Sequence, residues 1–302
     1  MGITLKSNMI NQLPNVAVLL ATHNPPGFID QQIESIKRQF GVKVKIYWGD
    51  YGSSEETKNH IRILLNDIDF KEFQIRNPGP AENFFELLKN ANEEYISFAD
   101  QDDIWLPNKL FYQVNQLKKT PHIPSLTHST AQILKNGKVI PRKSICLDHR
   151  FISLALSNCC QGCTLMINSA AKKVILDYLP EKIIWHDWWM GLVISVTGII
   201  HYSPHTEVLY RIHHSNTIGI PSNLKKILLS IKRPSGQISY QIHQILENYP
   251  TNDKILSQEL TLINGLTSNS IMRRLNANFR IKKNEALIQY LMRRILWIMK
   301  KP

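Results

Sequence analysis

Four consecutive positions, Asp100-Gln101-Asp102-Asp103, put three carboxylates directly behind the apolar run Tyr95 to Ala99. Like charges at this spacing repel, and a divalent cation relieves the repulsion; oxygen ligands of this kind suit Mg²⁺ or Mn²⁺. An ion held there could bridge two phosphates and neutralise the charge that develops as a diphosphate departs. The plainer reading is an acidic turn ahead of a helix at Ile104-Trp105-Leu106-Pro107, with Asp103 as its cap. A second constellation, Trp185-His186-Asp187-Trp188-Trp189, sets one carboxylate among three indoles. Surroundings of low polarity raise a carboxyl pKa toward the range in which it can take up a proton. His186 is the alternative base, and capping of a Trp-rich helix is the structural alternative for Asp187.

Groups so far apart in sequence need a scaffold. Val16 to Ala21 (VAVLLA) is a short continuous apolar run of the kind that forms a strand covered on both faces, and it ends on Thr22-His23-Asn24. Ile29, Ile33 and Ile36 recur at helical spacing, with Gly41 as a stop. Val42 to Trp48 alternates like a strand, Gly49 to Ser54 reads as a loop, and a helix fits Ser54 to Asn66 with Glu55 and Glu56 in its first turn. A strand near Phe73 to Arg76, a turn at Pro78-Gly79-Pro80, a helix from Glu82 to Ala91 and the strand Tyr95 to Ala99 follow. Such alternation predicts an α/β fold with a mostly parallel sheet flanked by helices. Ligands of such sheets collect beyond the carboxyl ends of the strands. Three polar clusters fall there: Thr22 to Asn24, Asp50 to Ser53, and Asp100 to Asp103.

With 302 residues, 43% hydrophobic and 20% charged, the chain can bury one large core and carry a smaller appendage. No apolar run reaches the roughly 18 to 20 residues of a membrane-spanning helix, the start lacks a secretory pattern, and Lys6 argues against acylation of Gly2. The expected location is the cytoplasm, with the inner face of the plasma membrane as a peripheral site. Cys146, Cys159, Cys160 and Cys163 include one C-x-x-C with no second pair nearby, so packed reduced thiols are expected ahead of a zinc or redox pair. Residues 221–302 hold 14 Lys and Arg against 4 Asp and Glu, hence +10 of the net +12. The doublets there, among them Lys225-Lys226, Arg273-Arg274 and Arg293-Arg294, alternate with apolar groups up to Trp297. They fit either contact with an anionic membrane or helices packed on the main domain. Nucleic-acid binding has only this charge in its favour, and no nucleic-acid partner is expected. A nucleotidyltransferase would need a Gly-rich basic loop after the first strand, which Ala21 to Phe28 lacks.

In these motifs the chain resembles the family 2 glycosyltransferases, whose nucleotide-sugar-binding fold is the Rossmann-like GT-A. The matching segments are VAVLLATHN at 16–24, GDYGSSEET at 49–57, NFFELL at 83–88, ISFADQDDIWLPNKL at 96–110 and WHDWW at 185–189; the acidic block is similar to the rhamnosyltransferase-like branch. The resemblance implies a catalytic domain over 1–220, with donor binding at 15–110 and the acceptor side at 111–220, and a basic helical extension at 221–302. It implies that Ala21, Thr22, His23, Asp50, Tyr51, Gly52, Asn83 and Gln101 hold the donor nucleotide. Asp100 and Asp102 would be the outer members of the D-x-D metal motif, with His213 a further ligand and Arg211 on the diphosphate. Asp187 would be the base that deprotonates the acceptor hydroxyl, giving inversion, and Gly162, Trp188 and Trp189 would line the acceptor. The implied partners are a nucleotide-sugar donor, rhamnose on deoxythymidine diphosphate, and a saccharide or lipid-linked acceptor in bacterial surface polysaccharide assembly. Tyr51 departs from the family, which commonly has a second Asp there.

Overall fold

The computed structural model describes residues 13–75, 79–142, 148–156, 158–181, 183, 185–213 and 235–249. Cys146, His214, Trp297 and the basic doublets of the extension lie outside the described residues.

The central sheet has seven strands in the order β10-β6-β9-β4-β1-β2-β3. These are β1 (Asn15–Thr22), β2 (Lys43–Asp50), β3 (Phe70–Gln74), β4 (Tyr95–Ala99), β6 (Ser125–His128), β9 (Met166–Asn168) and β10 (Ile199–Tyr202). Only β9 runs against its neighbours; β1, β2, β3 and β4 are parallel, as are β6 and β10. The mostly parallel sheet expected from the sequence is therefore present. The carboxyl ends of β1, β2, β4 and β6 share one edge.

The VAVLLA run is continuous because both faces of β1 are covered. Val16, Val18 and Leu20 enter one core with Ile29, Ile33 and Ile36 of α1 (Ile29–Lys37), Ile61 and Leu65 of α2 (Glu55–Leu65), and Leu110 and Val114 of α4 (Lys109–Leu117). Ala17 and Leu19 enter the other with Phe84 and Leu88 of α3 (Pro80–Asn90), Leu154 of α5 (Phe151–Leu156), Ile175 of α6 (Ser169–Asp177) and Trp189 of α7 (His186–Thr197). Fully burying each such Leu or Ile contributes about 1.5–3 kcal/mol. The helix starts follow local chemistry: Ser54 Oγ accepts from Thr57 N at 3.2 Å, and Asn168 Oδ1 accepts from Ala171 N at 2.9 Å.

The structure departs from the sequence reading in places. Gly49 and Asp50 are the last residues of β2 rather than loop, and β3 begins at Phe70. Ile104-Trp105 starts no helix; it is β5, a strand of a second sheet ordered β5-β11-β7-β8. There β11 (Val208–Arg211) pairs with β5 and with β7 (Gln132–Lys135), and β8 (Lys138–Ile140) closes the edge. Two-residue strands carry too little periodicity to be read from sequence. Of the basic extension, α8 (Ser235–Asn248) docks on the main body: Ile242, Ile245 and Tyr249 are buried, and Tyr249 Oη donates to Val174 O at 2.7 Å. Among the described residues no helix is long and apolar enough to cross a membrane.

Candidate active site

The three polar clusters meet at the shared strand edge. Asp50, at the tip of β2, is only 7% exposed, and its carboxylate accepts from Thr22 Oγ1 at 2.6 Å, Ser53 Oγ at 2.7 Å and Ser53 N at 3.0 Å. Trp48 Nε1 donates to Thr22 Oγ1 at 2.9 Å, so Thr22 links indole and carboxylate. Ala21 and Thr22 pair with Gly49 and Asp50 across the parallel ladder. His23 and Gln101 exchange hydrogen bonds, His23 N to Gln101 Oε1 at 2.8 Å and Gln101 Nε2 to His23 O at 3.2 Å, which ties the β1 loop to the acidic turn. His23 Nδ1 contacts the Tyr51 carbonyl, and the two rings lie 5.6 Å apart. Gly52 takes φ +76, a left-handed conformation that lets the loop turn back beside His23. Behind this cradle Asn83 Nδ2 donates to Gly49 O at 3.0 Å, while its buried Oδ1 lacks a protein partner.

The acidic turn divides its carboxylates. Asp103 is fully buried; its Oδ1 accepts from Arg211 N at 3.1 Å, and burial, followed by the Asp102 charge, pushes its pKa up to about 7. Asp102 faces the other way and meets His213 Nε2 at 2.7 Å through Oδ2. Asp100 is raised well above the usual carboxylate range by burial, then by the charges of Asp103, Asp102 and Asp187. The charge of Asp187 is felt at Asp100, so the Trp-rich helix begins near the acidic turn. Arg211 braces the turn by donating from Nε to Asp102 O at 2.9 Å, with its guanidinium 4.2 Å above the Phe28 ring and Nη2 on Gln31.

An excess of carboxylate charge with a carboxylate–imidazole pair at its mouth is a donor set that fits a divalent ion such as Mn²⁺ or Mg²⁺. Asp100, Asp103 and Cys163 also bring one ligand atom each within 4.8 Å of one another, but Asp103 and Cys163 are buried beneath the turn.

Asp187 lies in the first turn of α7 and not at its cap, which is Trp185. Its Oδ2 accepts from Gly162 N at 3.0 Å and Oδ1 from Trp188 N at 2.7 Å. Burial pushes its pKa up to about 6, against the pull of those two amides and of the Asn158 side chain. Most of Asp187 is thus ionised at neutral pH yet near enough to 7 to exchange a proton. His186, the other candidate base, is set aside: its ring lies 4.2 Å from Phe84 and 5.6 Å from Phe98, and burial depresses its pKa to about 3. Gly162 meets the back of this pair, since a Cβ there would stand 2.9 Å from His186 Nε2.

Trp189, expected on the acceptor side, needs correction: it is fully buried among the core residues of the Leu19 face and cannot meet a ligand. The indoles left partly open are Trp185 and Trp188, stacked at 5.5 Å, with Trp188 Nε1 held by Leu154 O at 2.7 Å. Sequence reasoning offered Asp103 only as a cap and Trp185 only as one of the indoles around Asp187, and it missed the hydrogen bond of Asn158 to that carboxylate. It also missed Lys109 and Glu207, both fully buried below the turn, where Lys109 Nζ donates to Ser97 Oγ at 2.7 Å and Gln113 bridges to Glu207 at 2.8 Å. A cavity lined by Pro14, Lys43, Lys45, Asp69 and Glu93 lies at the opposite edge of the sheet and holds none of these groups.

A sequence model described as Glycosyl transferase family 2 matches residues 17–175. The dTDP-rhamnosyl transferase RfbG of Shigella flexneri is 26% identical over 235 residues, covering 68% of this chain and 75% of that protein. Among solved structures, S. aureus TarS 1-349 in complex with UDP-GlcNAc superposes with TM-score 0.60 at 16% identity, covering 94% of this chain and 81% of that one. This chain covers 44% of the longer TarS chain. A mannosyltransferase of Pyrobaculum calidifontis, in complex with GDP-Man and Mn²⁺, superposes with TM-score 0.58 at 13% identity, covering 92% of this chain and 78% of that one.

Proposed function

The chain belongs to glycosyl transferase family 2 and has the GT-A fold, and from that premise we propose that it transfers a sugar, with inversion, from a nucleotide-sugar donor to a hydroxyl of a saccharide or lipid-linked acceptor. Rhamnose on deoxythymidine diphosphate is the donor we propose, supported by the likeness to RfbG. Bacterial surface polysaccharide is the product class we propose with it. The observation that supports the reading is that the Asp187 carboxylate stands near enough to the acidic turn for its charge to raise the pKa of Asp100.

In this reading the cradle of Ala21, Thr22, His23, Asp50, Tyr51 and Gly52 holds the nucleoside, with Asn83 and Gln101 fixing the loops around it. Tyr51, partly open beside His23, offers a ring and a hydroxyl to the base. Asp102, His213 and Asp100 would hold Mn²⁺ or Mg²⁺, which when bound would offset the charge on the departing diphosphate. Arg211 keeps the turn in register and adds positive charge beside it. The acceptor ring stacks on Trp185 and Trp188 while Asp187 takes the proton from its attacking hydroxyl. Base and leaving group then lie on opposite sides of the anomeric carbon, which is single displacement. Peripheral membrane contact through the basic extension would bring a lipid-linked acceptor to this site.

The test is a panel of nucleotide sugars with Mn²⁺ or Mg²⁺, scored for donor turnover and, by calorimetry, for binding. Asp102→Ala and His213→Ala should abolish divalent-dependent nucleotide binding, whereas Asp187→Ala should keep binding and lose turnover. Binding that is indifferent to divalent ions would remove the metal assignment, and full transfer by Asp187→Ala would remove the base.

A further inference from the structure

We propose that His128, His149 and Cys159 form a second metal site, for zinc or a similar borderline transition metal, that pins the segment carrying Asn158 and Gly162 to the end of β6. Nothing in the transfer chemistry uses these residues. His128 closes β6 at the carboxyl edge of the sheet, His149 stands just ahead of α5, and Cys159 lies between Leu154 of α5 and the short 3-10 turn Gly162–Thr164. The fold brings one ligand atom from each within 4.8 Å of the others.

The two imidazoles approach Nε2 to Nε2 at 2.8 Å with their planes at 84°. That is nitrogen facing nitrogen with no carboxylate between them, because Asp148 is occupied by Arg150 and Ser153. A tetrahedral zinc with arms of roughly 2.0 Å to nitrogen and 2.3 Å to sulfur holds its ligand atoms roughly 3.3–3.8 Å apart. The two nitrogens therefore need to part by roughly half an ångström, and the sulfur, within 4.8 Å of them, to close by at most roughly 1.3 Å, a side-chain adjustment rather than a rearrangement. His128 is 1% exposed and His149 partly open, so the two nitrogens meet at the edge of the protein interior, where a metal could reach them. Two imidazoles and a thiolate select zinc, not the hard ions that suit Asp102. The C-x-x-C does not compete: Cys160 is buried in the Leu19 core and Cys163 in the Val18 core, on opposite sides of the sheet.

The location gives the metal a task. Asn158 and Gly162 both hydrogen-bond Asp187, and Cys159 sits between them in the chain. A metal on Cys159 would fix the loop between its two contacts with Asp187, keeping the Gly162 amide aimed at the carboxylate. The metal site stands on its own geometry; its consequence for turnover rests on Asp187 being the base.

The test uses the full chain purified without a histidine tag. Zinc content after extensive dialysis should be one equivalent per chain, unchanged in Asp102→Ala. Replacing zinc by Co²⁺ should give visible tetrahedral bands and a near-ultraviolet thiolate charge-transfer band, the latter absent in Cys159→Ser and both absent in His149→Ala. Both variants replace partly open side chains and should retain wild-type circular dichroism. Stripping the zinc with saturating Mn²⁺ present should lower kcat at least tenfold, restored by zinc alone. A chain that retains no zinc, or Co²⁺ spectra identical in wild type and Cys159→Ser, overturns the site. Stoichiometric zinc whose removal leaves kcat unchanged overturns the positioning role while the site stands.

Discussion

Replacing Gly162 by Ala should move the acid limb of the pH–rate profile, because the new methyl group sits where neither neighbour can yield. Its Cβ would stand 2.9 Å from Nε2 and 3.1 Å from Cε1 of His186. That ring is packed against Phe84 and Phe98, so the strain falls on the Gly162 backbone, whose amide donates to Asp187 Oδ2 at 3.0 Å. Losing one hydrogen bond to a charged group costs about 1.5–3 kcal/mol, which is about 1–2 pKa units toward the protonated acid. The wild-type limb should lie at about 6, where burial places Asp187; in Gly162→Ala it should lie at about 7–8. At pH 7 the ionised fraction then falls from roughly nine-tenths to between a half and a tenth, and rates converge again near pH 9. Initial rates of donor turnover between pH 5 and 9, with saturating Mn²⁺, measure this. A second change, His186→Ala, opens the space and should return the limb toward 6. A loss of rate that is the same at every pH would refute the reasoning, since it would mean that the amide does not hold the ionised carboxylate.

The same carboxylate should limit stability. A folded pKa raised from 3.8 to about 6 means the native state binds more protons than the unfolded chain, so stability present below 3.8 is lost as pH rises through 6. Asp187→Asn should therefore gain at most about 3 kcal/mol on wild type between pH 4 and pH 7 in urea unfolding, and no gain would show that the group is not strained. Thr22→Val leaves both the Trp48 indole and the Asp50 carboxylate short of a partner. It should cost about 1–3 kcal/mol of stability and weaken nucleotide binding in calorimetry. Trp188→Ala should raise the acceptor KM, whereas Trp189→Phe, in the core, should lower Tm and leave KM unchanged.

How much of this was legible in the sequence depended on the range of the signal. The VAVLLA and YISFA runs announced strands buried on both faces, and the strand–helix alternation announced a parallel sheet; the polar residues that end those strands therefore had to share an edge. Trp189 misled because an indole's type says nothing about direction: three tryptophans in five positions of one helix end point to different sides, and only packing shows which is covered. The Lys109–Glu207 network was silent because a charged residue in an amphipathic pattern reads as surface, and only tertiary partners let it be buried.

The acidic block shows most clearly where sequence reasoning stops. Asp102 and Asp103 are adjacent and chemically alike, and nothing local separates the proposed ligand from a strut. Their difference arises from β11, more than one hundred residues downstream: Arg211 N donates to Asp103 and draws it inward, while His213, two residues on, meets Asp102 at the mouth. Arg211 is the last residue of β11: its backbone amide faces Asp103, the amide of Ile212 faces Leu134 O of β7, and His213 follows beyond the strand. A strand end laid against the acidic turn therefore presents one donor to each aspartate in turn. The pairing of β11 with β5 holds that register, since Leu209 lies opposite Ile104, immediately after Asp103. The second sheet, invisible in the sequence, is thus the device that sorts the acids: by pairing β11 with β5 it sets the Arg211 amide on Asp103 and brings His213 to Asp102, beside the proposed cation site.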